Sequence, residues 1–380
     1  MGGGPAGAAT ALFCAHHRPG WAERVVVIDK ARFPRDKICA GAIGRRADRA
    51  LEAIGVRVEV PSVAIVGLSV ATGAGSLAVR DRERIGRVVR RRAFDAALLD
   101  CARRAGVVVR DGVALAGLRR TARVVRLTTT AGELTARVVV GADGVGSRVR
   151  RALGVPRGDY HAQAIEVDTP CVPGDPPLDD LHFDVVDTSY PGYAWDFPTL
   201  VDGRVMMCRG IYQLTRGAGA AGTDVATLLR DRLVRRGLDP DAAPTRRFAE
   251  RGLSLHQPTS FDRALLVGEA AGIDPVLGEG IAQAVLYGAT AGAFLAEASR
   301  RDDWSMRGFG AALRRSRVGI DLRLRTAMTR LVYGSTRPVV ERWVSRSTAL
   351  AEGGMAYFAG RRVPRRALAR AAWDLLTCLP

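Results

Sequence analysis

The chain begins M-G-G-G-P-A-G-A-A-T, which sets Gly2, Gly4 and Gly7 in the spacing G-x-G-x-x-G. The first glycine of such a run makes a tight turn. The second lets backbone approach a pyrophosphate, and the third lets a helix pack closely on a sheet. Pro5 and Ala6 complete the turn. Ala6–His17 then reads as an alanine-rich helix whose first N–H groups suit phosphate oxygens. Arg24–Asp29 (R-V-V-V-I-D) follows as the apolar run of a buried parallel strand that ends in a carboxylate. Asp29 lies 27 residues after Gly2 (29 − 2). Dinucleotide-binding folds place an acid about 20 residues on, where it accepts hydrogen bonds from a ribose diol. Turn, helix, strand and acid occur in the order of a βαβ dinucleotide unit, so an α/β, Rossmann-like domain is expected.

Such a turn needs a strand before it, yet only Met1 precedes Gly2. A central strand left out would orphan two rows of backbone groups, each costing about 1–3 kcal/mol. The expectation is therefore that Met1 is not the natural start and that roughly five to seven apolar residues precede it. The alternatives are that another segment fills the slot or that the domain is crippled.

Length and charge narrow the class. With 380 residues, 47% of them hydrophobic, the chain can bury a large core and divide into two domains. Basic residues number 57 against 39 acidic ones, a net charge of +18. Lysine occurs only as Lys30 and Lys37; the rest is arginine. That bias suits anionic ligands or an acidic membrane surface. Nucleic acid is disfavoured, because there is no zinc spacing, no RNA-binding signature and no basic stripe interleaved with aromatics. Six scattered cysteines without a C-x-x-C pair fit a reduced, cytoplasmic chain. The histidines offer no metal-ligand spacing, and no metal is expected.

Further on, residues 87–106 read as an amphipathic helix with Phe94, Ala97, Leu98 and Cys101 on its apolar face. Val107–Val109 is a strand. Segments 112–118, 122–129 and 133–140 alternate as a β-meander. Residues 156–251 suggest a second sheet, Ala264–Val267 a buried strand, and residues from about 278 to 298 a long apolar helix. The expected division is a discontinuous cofactor domain (1–55, 88–153 and 252–300), an inserted mixed-sheet substrate domain (56–87 and 154–251) and a helical region (301–380).

Three more stretches are specific when taken together: V-V-V-G-A-D-G-V-G-S-R-V-R (138–150), L-L-V-G-E-A-A-G-I-D-P-V-L-G-E-G-I (265–281) and F-P-R-D-K-I-C-A-G (33–41). In this order they resemble the FAD-binding motifs of the flavoprotein monooxygenase superfamily. Y-A-W-D-F-P (193–198) resembles the Y-x-W-x-F-P motif of its geranylgeranyl reductases. The resemblance implies FAD as cofactor. It implies that Asp143 and Gly144, completed by Ser147 and Arg150, touch the pyrophosphate region, and that Arg91 reaches the phosphates. Glu269 stands where the family has an aspartate that holds the flavin side chain, and Gly278, Gly280 and Ile281 match the loop beside the flavin ring. Lys37 and Cys39 match a K-x-C-G-G core in which Ala40 replaces the first glycine; Lys30 follows Asp29. For Cys39, the other reading is a small buried hydrophobe.

By the same resemblance Tyr193, Trp195 and Phe197 line one wall of an apolar cavity; the other reading is an aromatic strand packing on its own sheet. Tyr193 or Cys39 would supply a proton. Arg209 is one contact for an anionic head group, or else a surface arginine. The implied reaction is reduction of carbon–carbon double bonds in a prenyl-type substrate, with electrons from NAD(P)H or a ferredoxin. The substrate would be small and hydrophobic, with a peripheral membrane contact compatible with the arginine excess. A hydroxylase acting on a natural-product scaffold, and a non-catalytic flavin fold, are the other readings. Halogenation is disfavoured, since it needs a tunnel lysine and both lysines already have places beside the cofactor.

Overall fold

The structure, a computed structural model, describes residues 1–216 and 223–378. Helix Pro5–His17 is buried from Pro5 to Cys14, which is why that stretch has no polar face. It packs on the long helix Ile281–Arg300 through small residues. A Cβ on Gly288 would stand 2.6 Å from the Ala9 Cβ, and one on Gly292 would stand 2.5 Å from the Phe13 Cβ. These glycines set how closely the two backbones approach. Among the described residues, Ile281–Arg300 is the one helix long and apolar enough to cross a membrane, and 67% of that stretch is buried inside the fold.

Strand Val26–Asp29 runs parallel to Val108–Asp111, and Val139–Gly141 runs parallel to Ala264–Leu266. Met1 and Gly2 lie between these pairs. The Gly2 N–H donates to the Ile28 carbonyl (2.7 Å), and the Met1 ammonium donates to that of Val140 (2.9 Å). Leu115–Arg120, Val125–Thr129 and Gly132–Ala136 form an antiparallel meander beside them.

A seven-stranded sheet makes the second layer. Its order is Arg246–Arg251, Tyr160–Thr169, Arg204–Arg216, Gly192–Val201, Asp180–Asp184, Gly67–Thr72 and Gly75–Arg80. Gly86–Val89 pairs on both sides, with Ala42–Gly44 and Ser62–Ile65. Residues 87–90 are therefore not helical as expected: the buried valines Val88 and Val89 join a strand, and the helix begins at Arg91. Packing here overrides a weak helical periodicity. One face of the large sheet meets the C-terminal helix Thr348–Phe358, and the other is covered by helix Val225–Arg235. Helices Phe309–Arg315, Arg317–Val332, Arg337–Arg346 and Arg365–Leu376 complete the C-terminal region. The architecture is the expected one: a Rossmann-like α/β domain, an inserted mixed sheet and a helical end.

Candidate active site

A cavity of about 760 Å³ opens where the glycine turn, residues 35–39, the Asp143 turn and the loop 269–280 converge. Gly2, Gly4, Pro5, Ala6, Asp29 and Lys30 line one end of it. Gly2 has φ +100°, and a Cβ there would stand 2.2 Å from the Ala142 carbonyl oxygen, so only glycine fits. Gly7 sits beneath the turn, where a Cβ would come 1.8 Å from the Gly2 oxygen. A Cβ on Gly4, by contrast, would meet only the Arg35 guanidinium at 3.3 Å, which leaves its backbone open to the cavity. Asp29 accepts from the N–H groups of Gly3 (2.7 Å) and Ala31 (2.8 Å), tying strand end to turn. The helix that starts at Pro5 has no side-chain cap, so its leading N–H groups remain for a ligand anion.

Cations stand around this end. Arg91 binds Asp95 through two contacts of 2.7 Å, and Arg35 shares the same carboxylate at 3.1 Å. Burial alone would lower the Arg91 pKa, but the paired Asp95 outweighs it and holds the guanidinium charged. Opposite, Asp143 accepts from the Ser147 hydroxyl (2.5 Å) and the Arg148 and Val149 N–H groups (2.7 and 3.1 Å). Ser147 in turn caps Arg150 N–H at 2.9 Å. Asp143 thereby fixes the turn that presents Gly144 to the cavity.

The other end is ringed by Lys37, Cys39, Phe248, Glu250, Glu269, Gly278, Gly280 and Ile281. Gly278 has φ +64°, and a Cβ on it would lie 2.4 Å from Glu250 Oε2. That oxygen is out of solvent and has no hydrogen-bond partner among the described residues. Desolvation raises the Glu250 pKa well above the ordinary carboxylate value; Glu269 adds to the rise and Lys37 opposes it. Glu269 is raised by desolvation too, again with Lys37 opposing. Burial likewise pushes up the Cys39 thiol, against the pull of Arg91. A cavity with an anion cradle at the glycine turn and an unpartnered polar atom at Glu250 fits FAD, whose pyrophosphate and ring need those two environments. Bound there, FAD would supply hydride chemistry. The glycine turn, Arg35 and Arg91 would hold its phosphates, with Asp29 at its ribose and Glu269 at the flavin side chain.

Comparison with known proteins agrees with this reading. The FAD binding domain family matches residues 1–304. Digeranylgeranylglycerophospholipid reductase 1 of Methanopyrus kandleri is 30% identical over 328 residues, 80% of this chain and 81% of that one. The chain belongs to the FAD-dependent geranylgeranyl reductase family. It is accordingly an FAD-dependent oxidoreductase. A digeranylgeranylglycerophospholipid reductase of Methanothrix thermoacetophila is 30% identical over 253 residues, 63% of this chain and 62% of that one. The solved geranylgeranyl bacteriochlorophyll reductase-like protein of Thermoplasma acidophilum has the same fold, with a TM-score of 0.72 at 18% identity over 100% of this chain and 98% of that one. The halogenase PltM with FAD bound shares it as well, at TM-score 0.68 and 16% identity over 99% and 84% of the two chains.

Within this reductase-family chain, the aromatic motif and Arg209 lie elsewhere than the cavity wall and mouth. Tyr193, Trp195 and Phe197 are each at most 6% exposed. They form one aromatic core with Phe183 and Tyr212, packed under Met355 and Phe358. The Trp195 indole packs against Gly210, where a Cβ would stand 2.1 Å from the ring. Tyr193 reaches the site only with its hydroxyl, which donates to the Leu277 carbonyl. Arg209 is fully buried on the sheet's opposite face, against Asp196 (3.0 Å), Asp175 (2.7 Å) and the Thr169 hydroxyl (2.8 Å). It is not at a mouth. Its register partner is Asp196, and residues paired across antiparallel strands share a face, so it must point away from Trp195.

Proposed function

We propose that this protein reduces carbon–carbon double bonds of a prenyl-type lipid with an anionic head. The supporting observation is the 30% identity over four-fifths of the chain to the digeranylgeranylglycerophospholipid reductase 1 of Methanopyrus kandleri. Within the site, the chain's own groups would orient FAD by its phosphates, exclude water from the ring end and hold protons there on Glu250 and Cys39. Electrons would come from NAD(P)H or a ferredoxin.

The same reading accounts for helix Arg365–Leu376. Its apolar residues Leu368 (57%), Trp373 (63%) and Leu376 (59%) face outward, flanked by Arg365, Arg366 and Arg370. A helix with this makeup suits an anionic bilayer surface, where the lipid substrate would be found.

The test is product mass after anaerobic incubation of the reduced holoprotein with a panel of prenyl lipids. A gain of two mass units per bond supports reduction. Incorporation of oxygen in air, a gain of sixteen, would favour the hydroxylase reading, and no product from a protein that holds FAD would favour a non-catalytic flavin fold.

A further inference from the structure

We propose that Glu250 delivers the proton that completes reduction of the substrate double bond. The proposal rests on the reductase reading and names the acid for it. Its basis is placement: Glu250 projects from strand Arg246–Arg251 into the ring end of the cavity, next to Gly278 of the loop beside it. Oε2 is withdrawn from solvent and meets no donor or acceptor among the described residues. An unpartnered carboxylate in such a place would be costly, whereas a carboxylic acid with a proton to give is tolerated.

The surroundings keep it protonated. The titratable groups facing it are Glu269, Lys37, Asp274, Cys39, Tyr193 and Tyr212. Of these only Lys37 favours ionisation of Glu250; desolvation and the carboxylates Glu269 and Asp274 oppose it.

Acid strength separates Glu250 from the two groups that sequence alone brings forward. An isolated prenyl double bond has no neighbouring carbonyl to accept charge, so the proton must arrive with the hydride or ahead of it, which calls for a strong acid. The Tyr193 phenol is raised well above 10, its hydroxyl is engaged by Leu277, and it does not line the cavity. Cys39 lines the cavity, but burial raises its thiol from an ordinary value of 9.0. Glu250 starts from 4.5 against 9.0 for the thiol, and of the three it alone combines a place in the cavity lining with a carboxyl oxygen that has no partner among the described residues. In the balanced step the π bond breaks and one carbon takes a hydride, with its two electrons, from reduced flavin. The other carbon takes the proton from the Glu250 carboxyl, which lines the cavity, and solvent returns a proton to the carboxylate.

The experiment uses FAD-loaded wild type and Glu250→Gln, which keeps size and burial but has no acidic proton. Three readouts are taken: bound FAD and its visible spectrum, the infrared band of a protonated carboxyl, and the anaerobic rate at which a prenyl lipid reoxidises the reduced protein. The expected result is normal FAD, loss of a protonated-carboxyl band in the variant, and reoxidation slowed by about 10²–10⁴-fold. Wild-type reoxidation with an equally fast variant overturns the role of Glu250 and leaves the reductase reading standing. A wild-type protein that no prenyl lipid reoxidises overturns the reductase reading and the proposal with it. No difference in the carboxyl band overturns the proposal whatever the rates. If Glu250→Gln fails to load FAD, Glu250→Asp replaces it. That variant keeps an acid but withdraws it by one methylene, and a rate loss of about tenfold or more supports the proposal, whereas an unchanged rate overturns it.

Discussion

The Tyr193 hydroxyl donates to the Leu277 carbonyl at 2.5 Å, so a residue of the aromatic motif acts on the loop that borders the cavity. Its neighbours do the same. Tyr212 donates to the Pro275 carbonyl (3.0 Å), Tyr333 to Val276 (2.5 Å) and Tyr287 to Gly272 (3.0 Å). Four phenols thus hold successive stretches of one irregular loop through its Gly272, Pro275, Val276 and Leu277 carbonyls. Tyr193→Phe should leave the Leu277 carbonyl unpaired at a cost of about 1–3 kcal/mol. Titrating the apoprotein with FAD should show weaker binding by about tenfold or more; unchanged affinity would mean that the other three tyrosines suffice.

Trp195→Ala should destabilise the fold by about 3–5 kcal/mol, as large aromatic truncations in cores do. Urea unfolding measures this, and the flavin spectrum of the folded variant should stay normal. A lost catalytic rate without lost stability would restore Trp195 to a substrate wall. Gly210→Ala tests the same contact from the other side, since its new methyl would overlap the indole; overpacking of this kind costs about 1–3 kcal/mol.

Glu166 gives a prediction with a sign. It is 1% exposed and its carboxyl is pushed up to about 7 from an ordinary 4.5, mainly by burial, with Arg246 opposing. The folded state therefore holds this proton to higher pH than the unfolded chain does. Its contribution to stability falls as pH rises from 4.5 to about 7 and is flat above. Glu166→Gln should remove that decline, making the variant more stable than wild type above pH 7 by on the order of 3 kcal/mol. The advantage should vanish toward acid. Denaturant midpoints at pH 5 and pH 8 decide it; an equal offset at both would sink the assignment.

Helix Arg365–Leu376 should bring the protein to vesicles rich in phosphatidylglycerol and not to phosphatidylcholine alone. Trp373→Ser should weaken flotation with the vesicles, and charge reversal at Arg365 and Arg366 should abolish the preference for anionic lipid. Binding that ignores lipid charge would contradict this face.

Cofactor extracted from the protein should be FAD and not FMN, because the glycine turn and Asp29 would serve a half that FMN lacks. Asp29→Ala should lower FAD affinity by about tenfold or more, since Asp29 also organises the N–H groups of Gly3 and Ala31.

Local patterns were the legible part. Gly2, Gly7 and Asp29 could be placed because the turn they make is dictated by backbone sterics that involve neighbours close in sequence or at a fixed strand end. Glu250 was not legible. Nothing in R-F-A-E-R sets it apart from a surface acid; its position depends on the strand pairing with the outer side of Tyr160–Thr169, two places from Arg204–Arg216, and on the approach of Gly278. Arg209 went astray for a related reason. Its face is decided by register with Asp196, and pairing between strands leaves no trace along either one. The aromatic motif is a mixed case: alternation put Tyr193, Trp195 and Phe197 on one face, but the helix Thr348–Phe358 that covers them lies about 150 residues away in the chain.

The loop beside the cavity is also gripped from the far end of the chain. Arg325 binds Asp274 at 2.7 Å, Arg46 binds Glu279 at 2.6 Å, and the ring of Tyr357 lies 4.3 Å from the Arg46 guanidinium. Two of these contacts, with that of Tyr333, come from beyond residue 304, where the match to the FAD binding domain family stops. The unit that inherits a cofactor site is thus larger than the unit that sequence families delimit. A chimera that joins residues 1–304 of this protein to the C-terminal helices of a relative would exchange the loop's supports along with the helices. Modularity here follows hydrogen bonds and not alignment boundaries.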